Sequence, residues 1–121
     1  MIPILEGCTL VPGTGRIWEV FTTPFLDPSN DRIQICVKEE NGTYTLTDDG
    51  DVCVYLFLHG IDLDDPKNER IVKQITIIAN WTGVVFDHSE LRCSTNLAGF
   101  LRAYCDMIGA ILQIEATVWW R

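Results

Sequence analysis

Asn41-Gly42 stands between two runs of alternating character. Before it, DRIQICV (31–37) sets Ile33, Ile35 and Val37 against Arg32, Gln34 and Cys36; after it, TYTLTD (43–48) returns. A period of two sends every second side chain to the same face of a strand. Asn-Gly readily takes the left-handed dihedrals of a two-residue hairpin turn. The stretch therefore predicts an antiparallel hairpin with one buried face, and such a face needs another layer to cover it.

The flanking segments supply that layer. RIWEVF (16–21) is rich in aromatic and β-branched residues and reads as a strand. Pro24 restrains Thr23, so TTPFLDPSND (22–31) reads as a bend or an edge segment. VPGTGR (11–16) lacks phosphate-loop spacing and reads as a turn. From Asp48 onward two readings compete. Asp49-Gly50 makes a second tight turn into a buried strand, or Asp48 or Asp49 caps a helix that ends near His59 and Gly60. Three acids at the start and a histidine at the end suit a helix dipole, and a helix over 51–59 is expected.

IDLDDP (61–66) is a loop, with Asp65 as cap, Pro66 at the first helical position and Glu69 close behind. Ile71, Val72, Ile75, Ile78 and Ala79 then recur at helical spacing until Gly83. VVFDHSELRCST (84–95) reads as two short strands turning near 87–90, and Asn96 caps a long last helix. The expected order is β-β-β-α-α-β-β-α. That is an α+β fold: one domain over 1–121, with a small antiparallel sheet packed against about three helices.

Apolar residues form 47% of the 121, enough for a real core. The start of the chain shows no signal-peptide pattern. The most apolar region, 97–120, still holds Arg102, Asp106, Gln113 and Glu115, which argues against a membrane span. Five cysteines, an odd number without a CxxC pair, point to free thiols and a cytoplasmic setting. Two sequons, at Asn41 and Asn80, read as accidents in that setting. A net charge of −8 speaks against direct nucleic-acid binding, which needs a clustered positive surface. The same charge serves solubility, or lets carboxylates occupy a phosphate-reading surface on another protein.

An ordered set of short motifs runs through the chain: Thr23-Pro24-Phe25 with Asp27, Asp31-Arg32-Ile33, Leu46-Thr47-Asp48-Asp49-Gly50, then Leu58 with Gly60-Ile61. Together with Arg70, Gly83-Val84 and the apolar C-terminal helix, this set resembles the bacterial family called domain of unknown function 1828, over roughly residues 17–114. The resemblance implies a bacterial or phage setting and supports the architecture. It brings no established activity.

Two sets of residues carry candidate chemistry. Asp27, Asp31, Asp48 and Asp49 could gather at one end of the sheet and hold a divalent metal for phosphodiester hydrolysis. Against this, DRIQICVKEE lacks the lysine spacing such a nuclease core wants, and aspartates at turns commonly hold backbone amides. Capping is therefore the expected role, with no metal or other cofactor. His59 and His88 have no Cys or His partner at zinc spacing, and a Cys93 nucleophile would need His88 as its base. The second set is a contact surface: the acids Asp62, Asp64, Asp65 and Glu69, with Trp119 and Trp120 on the last helix. The expected function is a non-enzymatic acidic protein-binding module, in its most specific form an anti-defence inhibitor of a nucleic-acid-handling enzyme. A homodimer through the last helix is a further expected contact. The competing readings are the metal-dependent phosphodiesterase and a purely structural module.

Overall fold

The computed structural model describes residues 9–11, 18–87 and 89–120. Their elements are β1 (Thr9–Val11), β2 (Glu19–Leu26), β3 (Arg32–Glu40), β4 (Thr43–Thr47), α1 (Asp51–Leu58), a 3-10 turn (Pro66–Asn68), α2 (Glu69–Trp81), β5 (Val85–Asp87), β6 (Glu90–Thr95) and α3 (Phe100–Trp120). One antiparallel sheet of six strands has the order β1-β2-β3-β4-β6-β5. The expected α+β class and element order are those of the molecule, with the short β1 added at one edge. The turn read from VPGTGR, together with Cys8, His88 and the Trp120 side chain, lies outside the described residues.

The hairpin of β3 and β4 closes with Glu40 opposite Thr43. Asn41 and Gly42 both take positive φ, 51° and 81°, as a two-residue type I′ turn requires. The alternation read from sequence holds: Ile33, Ile35, Val37, Tyr44 and Leu46 are buried. Phe21 pairs with Ile35 and joins them. α3 covers this face by packing on β4 and β6, and it touches both α1 and α2. Met107, Ile111 and Ile114 from α3 meet Val52 and Leu56 from α1 and Ile75 and Ala79 from α2 in one core.

Of the two readings of Pro24, a bend or an edge segment, the chain takes the extended one, beyond the residues that pair with β1. The strand runs on to Leu26, and the register shifts between Thr22 and Leu26. A bulge of this kind leaves a residue out of the ladder, which is where a proline without an N–H is tolerated. α1 and α2 end alike: Gly60 and Gly83 take φ of 88° and 76°. The N–H groups of Ile61 and Val84 donate back to the Leu56 and Ala79 carbonyls at 2.8 Å each. These six-to-one bonds are Schellman ends, and the left-handed residue they need explains both glycines.

The step from β4 into α1 depends on Asp48. Asp49 (φ 55°) and Gly50 (φ 81°) turn the chain, and Gly50, at the cap position, has no side chain to offer the helix. Asp48, only 2% exposed, replaces it. Its Oδ2 accepts the Val52 N–H at 3.0 Å, and its Oδ1 accepts the N–H groups of Gly50 at 3.1 Å and Leu91 at 2.9 Å. One carboxylate thus joins the end of β4, the first turn of α1 and the start of β6. Thr47 Oγ1 adds the Asp49 N–H at 3.1 Å.

Replacing Asp48 by Ala should orphan these three amides, two of them in buried bonds. At about 1–3 kcal/mol for each unsatisfied group, urea denaturation followed by circular dichroism should show a loss of about 3 kcal/mol or more. Asp48→Asn, which keeps one acceptor oxygen, should lose less.

Candidate docking site

α1 reads DVCVYLFL and is apolar on all sides after its first residue. A helix of that kind is normally buried all round. Here only one side is: Val52, Tyr55 and Leu56 face the core. Val54, Phe57 and Leu58, spaced i, i+3 and i+4, form one stripe on the other side. They are 56%, 63% and 74% exposed. Single exposed apolar residues are ordinary, but a full stripe on a helix is the signature of a surface that meets something.

The loop after α1 turns the stripe into a groove. Cys53, Val54, Phe57 and Leu63 line a depression of about 220 Å³, with Asp62 and Asp64 on its rim. The loop is shaped by its own aspartates. Asp62 Oδ1 accepts the Asp64 N–H at 3.0 Å, and the Asp62 carbonyl accepts from Asn68 Nδ2 at 2.7 Å. Burial, with help from the charge of Asp48, pushes the Cys53 thiol up to about 11, so this lining group stays neutral at physiological pH. At the far end of α1, the His59 ring stacks on Tyr55 at 4.2 Å and meets the edge of Trp119 at 6.3 Å. Trp119 is itself 65% exposed.

The acids expected to make contacts therefore divide. Asp62 and Asp64 border the groove. Asp65 caps the 3-10 turn through the Lys67 N–H at 3.0 Å, its Oδ2 also lying 3.6 Å from Lys67 Nζ, and Glu69 pairs with Lys73 at 3.3 Å. Of the two tryptophans, Trp119 stands beside α1, and Trp120 falls outside what can be described.

Of the aspartates considered for a metal, Asp27 and Asp48 lie near enough to Glu115 to act on its charge, but both are bonded to backbone amides. Asp27 Oδ1 accepts the Ser29 and Asp31 N–H groups at 2.8 and 3.0 Å, closing the β2–β3 loop. Both Asp48 oxygens are taken by amides, and Asp49 is on the other side of the sheet end, in a cleft of about 290 Å³ with Trp18, Cys36, Glu90 and Arg92. Among the described residues no group of three or more His, Cys, Asp or Glu side chains is arranged to hold a metal ion. In that cleft Glu90 holds Arg92 at 2.7 Å, and Lys38 Nζ sits 4.9 Å from the Trp18 ring centre. Burial and the nearby Asp49, Asp51 and Asp48 raise the Cys36 thiol to about 11, which leaves it protonated and a poor nucleophile. Cys93, half-buried, is likewise raised to about 11, and Cys105 is exposed.

Sequence reasoning missed the exposed stripe of α1 and the burial of Glu115. The stripe itself was legible as Val54, Phe57 and Leu58 at helical spacing, but spacing does not say which side of an all-apolar helix is left uncovered. Glu115, on α3, showed in the sequence only as one of the polar residues inside the apolar run 97–120. It is 4% exposed, its Oε2 has no hydrogen-bond partner, and burial, reinforced by Asp27, Asp48 and Asp51, raises its pKa to about 8. It is closed off from solvent and so from any substrate in this conformation.

A family model described as "Domain of unknown function DUF1828" matches residues 23–114. No curated protein and no solved structure matches the chain.

Glu115 makes stability depend on pH. The folded chain keeps its proton up to about pH 8, whereas an unfolded chain releases it near 4.5. Between those values the unfolded state binds fewer protons, so this group's contribution to stability falls as pH rises and levels off above about 8. Urea midpoints measured from pH 5 to pH 8 should therefore shift steadily in favour of Glu115→Gln over the wild type.

Proposed function

The chain belongs to the DUF1828 family, whose description carries no activity, and from its surface we propose that it is a non-enzymatic protein-binding module. The observation that carries this reading is the exposed stripe of Val54, Phe57 and Leu58 beside the acids Asp62 and Asp64. Central apolar anchors with a charged rim are the usual anatomy of a protein contact. Trp119 extends the apolar surface past His59. The net charge of −8 supports a partner with a basic surface. In its finer form the module is a cytoplasmic inhibitor of bacterial or phage origin that occupies the basic, phosphate-reading surface of a nucleic-acid-handling enzyme. No helix among the described residues is long and apolar enough to cross a membrane.

The reading is tested by affinity capture from bacterial lysate with the wild type and Phe57→Ser in parallel. A protein retained by the wild type and lost with Phe57→Ser is the expected result. The same retained proteins with both baits would count against α1 as the contact. The inhibitor form further requires that retention weaken as salt is raised, because exposed charges are screened within about 10 Å at 0.1 M.

A further inference from the structure

The occupant of the α1 groove can be narrowed by its size and charge. At about 220 Å³ it falls below the roughly 300–1,000 Å³ of small-molecule sites, and it is open to solvent along α1. Such a depression accepts one large side chain from a passing segment. Among the described residues its lining contains two acids, Asp62 and Asp64, and no basic residue. Phe57 and Val54 offer the anchor an apolar wall, and Leu63 closes the loop side.

A second copy of this chain is the obvious alternative. A two-fold contact through α1 would set the acidic rim of one copy against that of the other, on molecules already at −8 each. A head-to-tail contact would have to use a different surface. One such surface is on α2, where Ile77 (50%) and Trp81 (85%) are exposed one turn apart, in line with Lys73 and the exposed Arg70. Lys73 is already paired with Glu69, so that face would bring Arg70 alone against the two acids of the groove.

We infer that the groove between α1 and residues 61–65 receives a short segment of another protein, in which one large apolar side chain is flanked by lysine or arginine. The apolar side chain fills the depression against Phe57, and the flanking cations lie over Asp62 and Asp64. This rests on the protein-binding reading and adds the chemistry of the partner.

Two short synthetic peptides test it, each with a single Phe anchor, one flanked by lysines and the other by glutamates. Each is titrated into the full chain and followed through its backbone amide NMR signals. The lysine peptide should shift the amides of α1 and residues 61–65 saturably. Its affinity should drop about fivefold or more with Asp62→Asn combined with Asp64→Lys, and the glutamate peptide should bind at least that much more weakly. Asp62→Asn is chosen because an amide oxygen can still accept the Asp64 N–H that shapes the loop. Equal binding of the two peptides, shifts centred away from α1, or no binding at millimolar peptide would overturn the inference. So would dilution-dependent shifts of the α1 amides together with concentration-dependent sedimentation, which would assign the groove to a second copy. A lysate partner lost with Phe57→Ser but indifferent to charge at 62 and 64 would leave the module reading standing and remove this one.

Discussion

The carboxylate of Asp48 is the point on which three elements agree. Its two oxygens take the amides of Gly50, Val52 and Leu91, so the direction of α1 and the start of β6 are set by one buried group at the end of β4. Burial of a charge is costly unless it is well bonded, and three N–H donors are the form that bonding takes here. Burial still raises the pKa of Asp48 above the usual carboxylate value, with the three amides holding part of that rise back. The leucine-threonine-aspartate-aspartate-glycine motif thereby acquires a physical meaning. Leu46 fills the core, Thr47 and Asp48 bond the amides of the turn, and Asp49 and Gly50 supply its left-handed dihedrals.

Anchoring α1 in this way leaves its two sides with different work. The inner side is fixed in the core by Val52, Tyr55 and Leu56. The outer side carries apolar surface that the fold itself does not cover, next to a loop held open by the Asp62 turn and the Asp65 cap. Rigid support under an exposed apolar stripe favours binding, since little order has to be imposed when a partner arrives. Among the acids of these loops and turns, Asp27, Asp48 and Asp65 organise backbone, Asp62 both shapes its loop and borders the surface, and Asp64 borders it.

Much of the fold was legible because local rules and global packing agree. Asn41-Gly42 set the hairpin, Asp65-Pro66 opened the 3-10 turn that leads into α2, Gly60 and Gly83 closed two helices, and Asn96, whose Oδ1 accepts the Gly99 N–H at 2.9 Å, prepared α3. What was not legible required knowledge of the third dimension. The sequence offers Asp48 and Asp49 as equal caps, and only the arrival of β6 at Leu91 favours Asp48. Pro24 reads as a bend or an edge segment, and only the register shift shows how β2 accommodates it. Glu115 sits in an apolar run with nothing to mark it as the buried, proton-retaining acid. The outer stripe of α1 could be counted in the sequence, but its exposure depends on α3 covering one side of α1 and no other element covering the opposite side among the described residues.

If the Asp48 carboxylate is occupied by backbone, divalent cations should find no site there. The amide NMR signals of Gly50, Val52 and Leu91 during a Mg²⁺ titration report on this directly. Signals that stay in place up to millimolar Mg²⁺ are the predicted result. Saturable shifts of those three amides would show a metal competing for Asp48 and would contradict both its structural role and the non-enzymatic reading built on it.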